Sequence, residues 1–159
     1  MNNISSIGLN KEKSKELADL LNDLLANYSI FYQNVKGYHW NIKGNKFFEL
    51  HLKFEELYND LFIKIDDIAE RVLTLGFEPE FRFTDFLEKS KILESKGVFK
   101  ADKIVEELLF SLKVLLEKQR KVLKYSEEIN DEGTNALMSD YIREQEKLVW
   151  MYSAYTFES

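Results

Sequence analysis

Residues that interrupt helices are rare in this chain, and this scarcity constrains its fold more than any other feature. The 159 residues include one proline, Pro79, and six glycines. Because proline and glycine are the strongest breakers of regular structure, long uninterrupted helices are favoured. Apolar residues recur at spacings of three and four, which is the period of a helix with one buried face. The pattern predicts four long helices, at 11–42, 47–75, 101–129 and 134–155.

The segments between the predicted helices differ in length. Residues 43–46 and Gly133 form short turns, which join neighbouring helices into antiparallel hairpins. Residues 76–100 form a much longer connection, in which we expect a short helix near 84–95. Two helical hairpins joined by one long crossover are typical of the ferritin-like four-helix bundle. The sequence therefore predicts an all-α, ferritin-like fold.

The length and charge of the chain limit its organisation and its partners. We interpret residues 1–159 as a single domain with a short flexible N-terminal segment at 1–9. The 22 Lys and Arg residues and 28 Asp and Glu residues leave a formal charge of -6. Because a phosphate backbone attracts a basic surface, this charge disfavours nucleic acid and favours cations as partners.

The absence of cysteine and of long apolar runs excludes further classes of protein. Without cysteine, disulfides, thiolate metal sites and iron–sulfur clusters are impossible. No apolar run is long enough to span a membrane, and the first residues do not resemble a signal peptide. We therefore expect a cytoplasmic protein.

The two histidines of the chain, His39 and His51, lie on either side of the first turn. They are about equally far from Gly44, so closing the hairpin should bring them side by side. A lone histidine is more often a structural residue than a ligand. Two histidines at matched distances from one turn favour a shared site.

Carboxylates on the second helix complete a candidate set of ligands. Asp66 and Glu70 are four residues apart and share one helix face, and Glu55 follows His51 by one turn. His51 and Asp66 point to a similar side but are separated by roughly 22 Å along the helix. A single chain therefore cannot bind one metal ion with both. A two-fold axis near Asp60 would place the histidines of one chain over the carboxylates of another.

Two further observations support a shared site between chains. The second helix is apolar beyond its main stripe, at Phe48, Leu52, Phe62 and Ala69, which indicates a subunit interface. An iron site within one bundle requires Glu-x-x-His motifs, which neither histidine has. Imidazole with carboxylate suits Fe(II) and other first-row divalent ions, and zinc would also bind.

With this set of residues, the sequence resembles the Dps family, the mini-ferritins. The resemblance covers essentially the whole chain, and its most specific feature is the spacing His-x11-His-x14-Asp-x3-Glu. The matching segments are Tyr38-His39-Trp40-Asn41, Phe47-Phe48-x-Leu50-His51, Asp66-Asp67-Ile68-Ala69-Glu70-Arg71, Asp131-Glu132-Gly133-Thr134 and Glu146-Lys147-Leu148-Val149-Trp150-Met151.

The resemblance implies an iron-storage protein that forms a dodecameric hollow shell. It implies a ferroxidase that oxidises Fe(II), preferentially with hydrogen peroxide, at sites between subunits. The ferric mineral is then stored inside, which protects the cell from oxidative damage. On this basis His39 and His51 are catalytic ligands from one subunit, and Asp66 and Glu70 are catalytic ligands from its partner.

The resemblance also assigns residues around the iron site. Glu55 falls where the family has a further carboxylate, usually Asp, and it would bind metal directly or through water. Trp40 falls beside the site, where it takes up oxidising equivalents or only packs. The acidic residues expected at the three-fold pores are Glu127, Asp131 and Glu132.

Three alternative functions remain open from the sequence. Some members of this family compact DNA through a basic terminal tail. The basic residues here, Lys11, Lys13, Lys15, Lys118, Arg120, Lys121 and Lys124, are interrupted or bordered by acidic ones, which predicts weak or absent DNA binding. The second alternative is a helical scaffold in which the histidines and carboxylates are incidental. The third is regulation by another metal, such as manganese or zinc.

Overall fold

The chain folds into five helices, and its computed structural model describes residues 3–157. The helices are α1 (Lys11–Asn41), α2 (Phe47–Thr74), α3 (Phe83–Lys89), α4 (Ala101–Glu128) and α5 (Glu132–Tyr155). Helices α1 and α2 pair, as do α4 and α5, and α1 also packs on α4. The part of the chain that is described contains no strand, only two isolated backbone bridges. The predicted all-α, ferritin-like bundle is confirmed.

The helix ends agree closely with the sequence pattern. Asn10 caps α1 by accepting a hydrogen bond from the backbone N–H of Lys13 at 3.0 Å. Asp131 caps α5 in the same way, through the N–H of Thr134 at 3.1 Å. Each cap satisfies an N–H group that the first helical turn leaves without a partner. No helix within residues 3–157 is long and apolar enough to cross a membrane.

The crossover helix is shorter than the sequence predicts, because α3 ends at Lys89 and no helix continues towards residue 95. Two buried asparagines of α1 hold the chain that follows. The side-chain oxygen of Asn27 accepts from the N–H of Lys91 at 2.9 Å. Asn34 binds the carbonyl of Leu93 and the N–H of Ser95, both at 2.9 Å. These contacts use backbone groups that a continuing helix would need for its own hydrogen bonds.

The first residues of the chain are linked to the start of α1. The N–H of Lys11 donates to the carbonyl of Asn3 at 2.7 Å, and the N–H of Ser5 donates to the carbonyl of Leu9 at 2.7 Å. Residues 1 and 2 of the segment expected to be flexible lie outside the described residues. The mobility of this segment in solution stays a prediction.

A closed ring of hydrogen bonds joins three helices inside the bundle. The hydroxyl of Tyr28 donates to the side chain of Gln119, which donates to Gln145 at 2.7 Å, which donates back to Tyr28 at 2.6 Å. All three side chains are buried. Burial raises the pKa of Tyr28 well above its ordinary value, so the hydroxyl keeps its proton.

We expect Tyr28→Phe to lower the free energy of unfolding by about 1–3 kcal/mol, because both glutamines would lose a buried partner. Chemical denaturation of the assembled protein measures this change. Tyr152→Phe is the matched control, because its buried ring has no hydroxyl hydrogen bond to any residue within 3–157. Equal losses in the two variants would contradict a stabilising role for the ring of hydrogen bonds.

Candidate metal centre

The hairpin of α1 and α2 brings the two histidines together at its closed end. Gly44 lies in the short turn with a φ of 118°, a conformation that glycine adopts readily. The rings of His39 and His51 are stacked, with centroids 3.8 Å apart and planes inclined by 10°. The sequence-based expectation that the turn would place them side by side is confirmed.

Each histidine is held by the backbone of the other. The Nδ1 atom of His39 lies 2.6 Å from the carbonyl oxygen of His51. The Nδ1 atom of His51 lies 2.7 Å from the carbonyl oxygen of His39. A carbonyl oxygen can only accept, so both Nδ1 atoms carry the proton and donate it. In a neutral ring this leaves a lone pair on Nε2, which is the form that binds a metal ion.

Aromatic side chains enclose the pair on both sides. Phe47 stacks on the ring of His51 at 4.8 Å, and Tyr58 meets the ring of His39 edge-on at 5.4 Å. His39 is buried and His51 is half-buried. The reciprocal hydrogen bonds and these ring contacts restrict both imidazoles to one orientation, so little conformational entropy remains to be lost when a ligand binds.

The carboxylates predicted to bind metal lie farther along α2. Asp66 and Glu70 are exposed, and Glu55 is half-buried. Neither Asp66 nor Glu70 has a side-chain hydrogen bond or ion pair with any residue that the structure describes. Both carboxylates are therefore available to a ligand from outside the chain.

Other polar residues on the same half of α2 are occupied. Lys64 binds Glu144 of α5 at 2.9 Å, and Asp67 accepts a hydrogen bond from Tyr141 at 3.2 Å. The sequence does not predict these contacts, because nothing in it says which helix packs against this face of α2. Lys64 and Asp67 therefore contact α5, whereas the carboxylates of Asp66 and Glu70 are exposed.

A single chain does not assemble a complete site. Within residues 3–157, no three side chains among histidine, aspartate and glutamate are grouped so that they could hold a metal ion. The apolar side chains expected at a subunit interface are largely exposed, led by Phe48 at 87%, with Leu52 and Phe62 also exposed and Ala69 half-buried. Such an exposed apolar helix face is typical of an interface with another chain.

The remaining sequence-predicted residues have different surroundings. Trp40 is exposed, with the ammonium of Lys36 5.5 Å from its ring centre. Asp131 is 2% exposed, and its carboxylate binds Arg71 at 2.6 Å besides capping α5. This structural role uses the acidic group that was expected at a pore.

The other two residues assigned to the pore, Glu127 and Glu132, are exposed. The assignment of Glu127, Asp131 and Glu132 to a pore between chains stays a prediction. The redox role of Trp40 also stays a prediction.

Comparison with known proteins agrees with this architecture. Residues 18–157 match the model of the ferritin-like domain family. The chain is 38% identical over 148 residues to a DNA protection during starvation protein of Porphyromonas gingivalis, covering 93% of each.

Solved structures extend this agreement to three dimensions. A Dps protein from Vibrio cholerae O1, described as a member of a broad superfamily of ferritin-like diiron-carboxylate proteins, superposes with a TM-score of 0.97 at 49% identity over 99% of both chains. A Dps protein from Bacillus brevis superposes with a TM-score of 0.89 at 33% identity, over 92% of this chain and 98% of that one. With two helical hairpins, a long crossover and a histidine pair at the first turn, the chain belongs to the Dps family of ferritin-like proteins.

Proposed function

We propose that this protein is a ferroxidase that oxidises Fe(II) with hydrogen peroxide and stores the ferric product. The observation that carries the proposal is the histidine pair, whose backbone hydrogen bonds leave both Nε2 atoms ready to bind a metal ion. Membership of the ferritin-like family supports iron storage and protection from oxidative damage in general. The peroxide chemistry and the site residues are the finer part of the proposal.

The complete site forms between two chains. A two-fold axis near Asp60 places His39 and His51 of one chain over Asp66 and Glu70 of its partner, and the same contact generates a second, equivalent site. The exposed apolar side chains of α2 support this contact because the interface would bury them. Such dimers would assemble into a dodecameric shell, the assembly implied by the resemblance of the sequence.

The reaction consumes iron as its substrate. One Fe(II) ion binds the two histidines and the two carboxylates, and a second binds nearby with help from Glu55. Hydrogen peroxide accepts one electron from each ion and its O–O bond breaks. With water, the products are two ferric oxyhydroxide units and four protons. The carboxylates favour the ferric product because hard anionic oxygen ligands stabilise the higher charge. Zinc would compete for the same neutral imidazoles.

Anaerobic addition of hydrogen peroxide to Fe(II) and the protein tests this proposal. We expect fast oxidation, two Fe(II) consumed for each peroxide, and a ferric product that stays in solution inside the shell. The controls are buffer alone and protein first saturated with zinc. Ferric hydroxide that precipitates at the rate seen in buffer would contradict the proposal.

DNA binding receives less support from the surface of the chain. In the basic cluster on α4, Lys118 pairs with Asp23 at 2.6 Å and Arg120 pairs with Glu146 at 2.8 Å. Near the start of α1, Lys15 pairs with Asp19. These ion pairs offset part of the positive charge that a phosphate backbone would need.

A further inference from the structure

Lys64 places a buried ammonium between two carboxylates from different helices. Its side chain is 5% exposed. The Nζ atom lies 2.8 and 2.7 Å from the two carboxylate oxygens of Asp60 and 2.9 Å from a carboxylate oxygen of Glu144. Three oxygens of α2 and α5 thus converge on one cation.

The surroundings of this ammonium separate it from solvent. The ring of Tyr141 covers it, with the ring centre 4.9 Å from Nζ, and the Tyr141 hydroxyl donates to Asp67. The carboxylates of Asp60 and Glu144 are about half exposed, and both line a groove of about 570 Å³ between α2 and α5. An ion in the groove can therefore reach the carboxylates, whereas the ammonium approaches them from within the bundle.

The geometry resembles that of a cation site built from oxygen ligands. Hard divalent ions bind carboxylate oxygens at about 2.0–2.6 Å, a few tenths of an ångström shorter than the distances seen here for an ammonium. Two carboxylates held this close repel each other unless a positive charge lies between them. Lys64 supplies that charge without any dissolved ion.

We propose that Lys64 occupies, as a tethered cation, a carboxylate site that would otherwise bind a divalent cation. The ammonium of Lys64 thereby prevents a divalent ion in the groove between α2 and α5 from binding Asp60 and Glu144. This assignment does not depend on ferroxidase activity, since it concerns carboxylates away from the histidine pair.

Titration of the assembled protein with Mn²⁺ in the absence of oxidant tests this assignment. Electron paramagnetic resonance measures the concentration of free Mn²⁺. The number of bound ions per chain is obtained by subtracting this from the total Mn²⁺ added. Relative to the wild type, we expect Lys64→Met and Lys64→Gln to bind one additional Mn²⁺ per chain at about 1 mM Mn²⁺. Adding Glu144→Gln to Lys64→Met should abolish this additional ion. The same number of bound ions in the wild type and in either folded, assembled Lys64 variant would overturn the assignment.

Lys53→Met is the matched control. This lysine lies on the same helix, lines the same groove and pairs with Glu56 at 3.1 Å, but its side chain is exposed. Its loss should add no bound ion, because one solvated carboxylate is a weak ligand; an equal gain would overturn the assignment.

A second measurement does not require a Lys64 variant to fold. Glu144→Gln alone should leave the Mn²⁺ count unchanged, and a loss of one ion per chain would also overturn it.

Discussion

His51→Ala is expected to lower the rate of Fe(II) oxidation by hydrogen peroxide by about 100-fold or more. The substitution removes one Nε2 ligand directly. It also removes the ring of His51, which is bound to the carbonyl of His39 and stacks on the His39 ring. Without this contact, the imidazole of His39 is held less firmly in the orientation that binds metal. Changes in residues that only orient a metal ligand cost about 10–100-fold, and loss of the ligand itself should cost at least as much. Anaerobic stopped-flow absorbance of the ferric product measures the rate.

Lys53→Ala is a suitable control for this variant. Lys53 lies two residues further along α2, and its exposed ammonium contacts only Glu56 within residues 3–157. Its removal should leave the oxidation rate close to that of the wild type. Size-exclusion chromatography and thermal unfolding should show that both variants assemble. Equal oxidation rates in His51→Ala and the wild type would mean that the histidine pair is not the oxidation centre, and the scaffold alternative would then be favoured.

Mixed assemblies of His51→Ala and Asp66→Asn chains are expected to oxidise Fe(II) much faster than assemblies of either variant alone. Each proposed site takes its histidines from one chain and its carboxylates from the partner. A site is intact when an Asp66→Asn chain supplies the histidines and a His51→Ala chain supplies the carboxylates. With equal amounts and random pairing, about one quarter of the sites are intact. The oxidation rate of assemblies purified from co-expression measures this fraction.

The double variant His51→Ala/Asp66→Asn, mixed with wild-type chains, provides the control. Random pairing with equal amounts again leaves about one quarter of the sites intact, since both chains of an intact site must be wild type. Matching rates in the two mixtures support a site shared between chains. A mixture of the single variants that is as inactive as its parents would contradict the shared site, because ligands within one chain cannot be rescued by a partner.

The four long helices were predictable because their cause is local. Apolar spacing, the scarcity of helix breakers and the cap at Asn10 act over a few residues, so the pattern can be read along the chain. In the crossover, by contrast, distant contacts decide the structure. Residues beyond Lys89 look helical in isolation, but Asn27 and Asn34 of α1 bind their backbone groups instead. These contacts join residues about sixty positions apart and leave no local trace.

In the candidate site, too, some features were predictable from the sequence and others depend on how the helices pack. Matched distances from Gly44 were enough to pair His39 with His51, and helix geometry was enough to separate them from Asp66. The reciprocal Nδ1 hydrogen bonds, which determine the nitrogen left for metal, depend on how two helices dock side by side.

The sequence by itself thus determined the helices, the turn that joins the histidines and the positions of the carboxylates on α2. The tertiary structure alone decided which polar groups are already in use. Asp131 is held by Arg71, and Lys64 is held between Asp60 and Glu144. The reason is physical: helix periodicity depends on near neighbours in the chain, whereas the partner of a buried charge depends on packing between helices.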